Sequence, residues 1–240
     1  VLHAHTLTAS EVHDAAELFS IVVSLSIFGV GWFTHELSED RHALFLACAF
    51  LGVGLMDSMH AMSFPGMPDF FGANTVTRTS QYWLAARLFT ALCFIASAFI
   101  LPEARSRWLT KRWLLAPALA VPGLAFALMS FLPDRVPATF DPAAGLTPFK
   151  VLAEYVIVIL FLLAIPAYVW RWRRTGDALT RYFVAAFVLS AYAELVLTAY
   201  RSAFDTFNAL GHVYKVAAFC LVYRAVFVGR VQAPYLGFAA

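Results

Sequence analysis

FKVLAEYVIVILFLLAIPAYVW, residues Phe149–Trp170, decides the fold. Beyond Glu154 it carries no charge. At about 1.5 Å per residue it reaches about 33 Å, enough to cross the roughly 30 Å hydrocarbon core of a bilayer. Six more runs of this kind flank it: Ala15–Phe33, Ala43–Phe64, Tyr82–Leu101, Trp113–Leu132, Tyr182–Ala203 and Ala209–Gly229. Together they predict an all-α integral membrane protein, a bundle of seven transmembrane helices that fills residues 1–240 as one domain. Buried helices of a soluble fold are excluded, because seven such runs leave no polar faces. Composition agrees. Of 240 residues 61% are hydrophobic, 16% aromatic and 13% charged, with mean hydropathy +0.73, whereas a soluble domain carries about 25% charged residues. This excludes a soluble enzyme and a disordered chain. The formal net charge of +2 gives no reason to expect nucleic acid. Cys48, Cys93 and Cys220 sit inside apolar runs and read as small core residues rather than a disulfide framework. The first run is too long, and lacks the basic leader, for a cleavable signal peptide. The connections are too short for a catalytic domain, so the chain itself reads as non-enzymatic.

Basic residues in short loops set the orientation. Arg105, Arg107, Lys111 and Arg112 follow the third run; Arg171, Arg173, Arg174 and Arg181 follow the fifth. Arg41 and Arg230 lie on the same side, against only Arg78 and Arg135 on the other. The expectation is an N-terminus outside and a C-terminus in the cytoplasm. Trp108, Trp113, Trp170, Trp172 and Tyr182 fit a cytoplasmic aromatic belt. Pro117, Pro122 and Pro166 fall inside runs, where neighbouring helices satisfy the freed backbone groups.

Ionisable groups inside a bilayer cost about 2.5–3.5 kcal/mol each on insertion scales, so their positions carry information. His13 and Glu17 are i and i+4; Asp57 and His60 are i and i+3; His212 and Lys215 are again i and i+3. Arg87, Lys150, Glu154, Glu194 and Arg201 complete the set. Under the expected topology all of them fall in the outer half, and the cytoplasmic half keeps only Arg224, which can snorkel. Helical rise then predicts an outer layer of His13, His60 and His212. One turn deeper comes a layer of Glu17, Asp57, Arg87, Glu194 and Lys215. The result is a polar pocket that binds a ligand or cofactor and is closed by the loop Pro65–Gln81.

Three histidines backed by carboxylates suit a transition metal, copper or zinc. Met56, Met59, Met62 and Met67 gather at the same end, and thioethers beside His60 suit Cu(I). Haem b is a further candidate, with two axial histidines and Arg87 or Lys215 near the propionates. Each feature also has a plain structural reading. A histidine bonded to a carbonyl, a methionine stripe packed in the core, and Arg87, Glu194 and Lys215 fixing helix register need no ligand. His35 and His42 fall in the first cytoplasmic loop and read as solvated. His3 and His5 either extend the outer site or stand apart from it. Asp69, Asn74 and Arg78 either cap their loop or touch a ligand. A zinc-dependent membrane hydrolase, with Asp57 or Glu17 activating water, and a proton-coupled transporter stay open as alternatives. A retinal protein fits poorly, because Lys215 lies only about two turns below the outer end.

Four motifs carry a resemblance. His13-x-x-x-Glu17-x-Phe19-Ser20 opens the first run, and Asp57-x-x-His60 runs into Phe64-Pro65-Gly66-Met67-Pro68. Trp83-x-x-x-Arg87 lies in the third, and Gly211-His212-x-x-Lys215 opens the seventh, followed by Tyr223-Arg224. Over about residues 11–235 the chain resembles the third type of bacterial membrane-associated sensor domain, of the MASE group. The resemblance implies a multi-pass input module of the bacterial inner membrane, surrounded by lipid and acting as a homodimer. It also implies that the last run feeds a cytoplasmic output domain of the same polypeptide, a histidine kinase of a two-component system or a diguanylate cyclase of cyclic-di-GMP signalling. No such output domain falls within these 240 residues, and the resemblance does not name a ligand.

Overall fold

The computed structural model describes residues 9–70, 72–102, 104–199 and 206–228. His3, His5, Arg201 and Arg230 lie outside the described residues. Seven long helices follow one another: α1 (Ala9–Ser38), α2 (Arg41–Met62), α3 (Val76–Ala98), α4 (Lys111–Phe131), α5 (Pro148–Thr175), α6 (Thr180–Leu197) and α7 (Thr206–Phe227). Local chemistry sets several ends. Asp40 caps α2 by accepting from Ala43 N at 2.9 Å, and Thr75 caps α3 by accepting from Arg78 N at 3.1 Å. Thr147 caps α5, with Pro148 at the first helical position, where its missing N–H costs nothing. Gly176 ends α5 at φ 68°, a left-handed C-cap that suits glycine.

Six of the helices are long and apolar enough to cross a membrane. The exception is α3. It begins at Val76, six residues before the expected Tyr82, and so takes in Thr77, Arg78, Thr79, Ser80 and Gln81. The segment Pro65–Gln81 is therefore a loop only as far as Thr75. Its last part is the opening of a helix that tolerates polar residues because they are packed against protein, not lipid.

The helices form a closed ring: α1 packs on α2, α2 on α3, α3 on α5, α5 on α6, α6 on α7 and α7 on α1. α4 stands outside it, packed mainly on α2 with a slight contact to α3. A short hairpin, β1 (Phe140–Asp141) with β2 (Gly145–Leu146), interrupts the α4–α5 connection. It was not expected from the sequence. Asp141 shapes it by accepting from Ala143 N at 2.7 Å and Ala144 N at 3.0 Å. The interior of the ring has three storeys. The upper end, where α1 begins, holds the ionisable groups. The middle is aromatic, with Phe50 against Phe94 and Phe219 at 5.8 and 5.5 Å between centroids and Phe94 against Phe187 at 4.8 Å.

The lower end corrects three expectations. His42 is not a solvated loop residue. It sits in α2, buried, with Nε2 3.2 Å from the Tyr168 hydroxyl. Arg171 is not in a loop either, because α5 runs on to Thr175 and buries it as a donor to the Ile100 carbonyl. The lower half thus holds buried polar groups, His42 and Arg171, whereas Arg224 is exposed. Of the cysteines, Cys48 is buried as expected, Cys93 is half-buried and Cys220 is exposed on the outer face.

Candidate functional site

The upper storey is assembled by every helix of the ring and none of α4. His13 comes from α1, His60 from α2 and His212 from α7, with residue exposures of 1%, 4% and 2%. Their ring centroids form a triangle of 4.5 Å (His13–His212), 5.5 Å (His13–His60) and 5.9 Å (His60–His212). Each Nδ1 has a partner. That of His60 lies 2.8 Å from the Thr79 carbonyl, that of His212 2.7 Å from the Asn208 carbonyl, and that of His13 3.1 Å from Asp14 Oδ1. Carbonyl and carboxylate oxygens only accept, so each Nδ1 is the donor and carries the proton. In the neutral imidazoles this leaves Nε2 as a bare lone pair. All three Nε2 atoms are buried, and none makes a hydrogen bond.

Glu17 completes the cluster. Its Oε1 lies 3.2 Å from His212 Nε2 and 3.9 Å from His60 Nε2. One donor atom each from His13, Glu17, His60 and His212 falls within 4.8 Å of the others. Four donors around a tetrahedral zinc at 2.0–2.1 Å stand about 3.4 Å apart, so the set is near ligating spacing but wider. A cavity of about 30 Å3 adjoins the histidines, bounded also by Phe64, Thr79, Trp83 and Lys150. Phe64 roofs it, stacked on the His13 ring at 3.8 Å.

One turn deeper lies a chain of ion pairs. Both Glu17 oxygens accept from Lys215 Nζ at 2.7 Å. Lys215 also reaches Asp57 Oδ2 at 3.2 Å, and Asp57 Oδ1 accepts from Arg87 Nη2 at 2.5 Å. Glu194 joins through Trp83, whose Nε1 donates to its Oε2 at 3.0 Å. The Trp83 ring lies 5.3 Å from the His60 ring and 4.9 Å from that of His212, and Arg87 and Lys215 each stand 5.0 Å from its centroid. Lys150 and Glu154 form a further buried ion pair on α5.

The structure therefore gathers His13, Glu17, Asp57, His60, Arg87, Glu194, His212 and Lys215 into one cluster, with Glu17, expected in the deeper layer, standing among the histidines. It does not bring in the methionines. Met59 packs with Tyr82, Ala125 and Met129, and no methionine bounds the cavity. Asn74 and Asp69 bind their own loop, Asn74 Nδ2 to the Met67 carbonyl at 2.9 Å and Asn74 N to Asp69 Oδ1 at 2.9 Å. Arg78 Nη2 donates to Ser130 Oγ at 2.8 Å, on the other side of α3. Sequence reasoning missed Phe64, Trp83 and Lys150 as walls of the site. Phe64 and Trp83 stood in the motifs already quoted, and Lys150 among the membrane charges. The carbonyls of Thr79 and Asn208 have no sequence signature at all.

Long apolar helices here ring a buried, donor-rich centre. The family comparison agrees: a model for a membrane-associated sensor domain, MASE3, matches residues 8–234, and the chain belongs to that family. No curated protein and no solved structure matches it.

Proposed function

We propose that the chain is the signal-input module of a larger bacterial inner-membrane protein, and that it holds one transition-metal ion, zinc or copper, among His13, His60 and His212, with Glu17 as the fourth donor. The observation that carries this reading is the gathering of three buried histidines, each with a partner on Nδ1, whose Nε2 atoms lie together with a Glu17 oxygen. Metal-bound histidines have this arrangement of outer partners. The deeper layer supports a cation as well, with three acids (Glu17, Asp57, Glu194) against two bases (Arg87, Lys215). The space favours an ion over haem. About 30 Å3 is one water's share, against roughly 300 Å3 or more for an organic ligand. With no thioether at the cavity, zinc or Cu(II) fits better than a Cu(I) site.

All seven helices cross the bilayer in this reading, with the upper end outside. Arg41, Arg105, Arg107, Lys111, Arg112, Arg173, Arg174 and Arg181 then face the cytoplasm. Drawing the four donors to ligating spacing shifts α7 against α1 and α2 by about 1 Å. α7 carries His212 and Lys215 near one end and runs to Phe227 at the other, so the shift reaches the cytoplasmic side. A kinase or cyclase output there, in a homodimer, would read it as a two-state bias. The aromatic storey between the two polar ends favours an input role over a proton path. Elemental analysis of the purified chain tests the metal. The expected result is about one zinc or copper per chain, with affinity reduced more than about 100-fold in His60→Ala and His212→Ala. A chain that takes up neither metal, or variants that bind like the parent, would contradict the proposal.

A further inference from the structure

The charges of the upper storey do not balance. Glu17, Asp57, Glu154 and Glu194 stand against Arg87, Lys150 and Lys215, and all seven are buried. Arg78, buried as well, faces away from them toward Ser130. Three of the acids are matched: Glu17 by Lys215, Asp57 by Arg87 and Lys215, and Glu154 by Lys150. Glu194, 1% exposed, is the acid left without an ion pair among the described residues. The partner it has is neutral, the Trp83 indole, whose Nε1 donates to Oε2 at 3.0 Å. The charged groups nearest to it come from every neighbouring element, Arg87 from α3, Lys150 from α5 and Lys215 from α7. Each of these already serves another acid. Glu154 on α5 and His212 on α7 complete the titratable set around it. With the histidines neutral, one negative charge is in excess, and a carboxylate buried without a cation of its own neutralises by taking up a proton.

We infer that Glu194 is the proton-binding site of this network, protonated while the histidine centre is empty and deprotonated, its proton passing to solvent, when a divalent cation enters. The first half stands on the ion pairs alone; the second rests on the metal reading above. Oε2 accepts from Trp83, which leaves Oε1 to carry the proton. Trp83 also joins the two sites. Its ring lies 5.3 Å from that of His60 and 4.9 Å from that of His212, so one indole separates the proton from the donor set. A cation among the histidines would turn a neutral network into one with two positive charges, and loss of the Glu194 proton would halve that excess. In this low-dielectric interior the cation favours the carboxylate over the carboxyl. Metal and proton therefore oppose each other, and the opposition is reciprocal.

Infrared spectroscopy of the metal-free full chain near neutral pH tests the first half. A protonated-carboxyl C=O band is expected, and it should vanish in Glu194→Gln. That substitution keeps an oxygen for Trp83 and matches the neutral acid in charge, so its unfolding midpoint should stay near that of the parent. Asp57→Asn, which takes a partner from Arg87 and Lys215, should lower the midpoint. Proton release on zinc addition in weak buffer tests the second half, with about one proton per zinc in the parent and none in Glu194→Gln. Zinc affinity of the parent should accordingly rise about tenfold per pH unit, while that of the variant stays flat. Absence of the band, a band that persists in Glu194→Gln, or a Glu194→Gln midpoint as low as that of Asp57→Asn would overturn the proton site. Equal proton release from parent and variant would overturn its coupling to the metal. A chain that keeps the band but takes up no zinc would contradict the metal reading and, with it, the coupling, and leave the proton site standing.

Discussion

Two polar clusters lie inside the same helical ring, one above and one below the aromatic storey, and their hydrogen bonds end differently. Below, His42 Nε2 meets the Tyr168 hydroxyl at 3.2 Å, Tyr168 meets Ser97 Oγ at 2.7 Å, and Ser97 donates to the Phe94 carbonyl at 2.8 Å. Above, the hydrogen-bond partners of His13, His60 and His212 are all on Nδ1, and the Nε2 atoms are buried beside Glu17, 3.2 Å from it for His212 and 3.9 Å for His60. Both clusters are buried, so burial of a histidine says little about ligation. An unbonded buried polar atom costs about 1–3 kcal/mol. Three near one another, beside a carboxylate, are what the proposed metal ion would satisfy. The lower cluster is a closed device that holds α2, α3 and α5 together.

Breaking each cluster should expose that difference. The largest effect is expected from Lys215→Met. It strips the cation shared by Glu17 and Asp57 and leaves buried carboxylates short of a partner, at a cost of about 3–5 kcal/mol. A lowered thermal-unfolding midpoint would show it, and adding Glu17→Gln should recover part of the loss. Next comes Tyr168→Phe in the lower cluster. It removes the hydroxyl between His42 and Ser97 and should cost about 1–3 kcal/mol in unfolding while leaving metal stoichiometry untouched. A loss of metal in that variant would merge the two clusters into one functional unit. The smallest effect is expected from Asp14→Ala. Asp14 only orients the His13 ring through Nδ1 and is partly exposed, so metal affinity should fall about tenfold with stability nearly unchanged. Competition against a chelator reads that change.

Much of the upper cluster was legible because ionisable residues are rare in apolar runs. The spacings His13–Glu17, Asp57–His60 and His212–Lys215 fixed faces and depths, and alternating helix direction brought them to one end. The same logic misread His42 and Arg171. Near a helix end, length and composition cannot tell a loop residue from one tucked under a neighbouring tyrosine or carbonyl. α3 was started too late because Thr77–Gln81 reads as polar, whereas in the fold Thr77, Ser80 and Gln81 bond to the α4–α5 connection, as Gln81 does to the Pro137 carbonyl at 3.0 Å. The methionines were over-read. Helical spacing puts Met59 near His60 in sequence, but on the face turned toward Tyr82 and Met129. The ring with α4 left outside was not legible at all, since α4 is as apolar as its neighbours and only packing tells which helix is excluded.

X-ray absorption at the zinc edge of the zinc-loaded chain tests the central claim most directly. The account predicts three nitrogen ligands and one oxygen at about 2.0–2.2 Å, with one nitrogen lost in His212→Ala. A shell of oxygen or sulfur alone, or one that His212→Ala leaves intact, would contradict it.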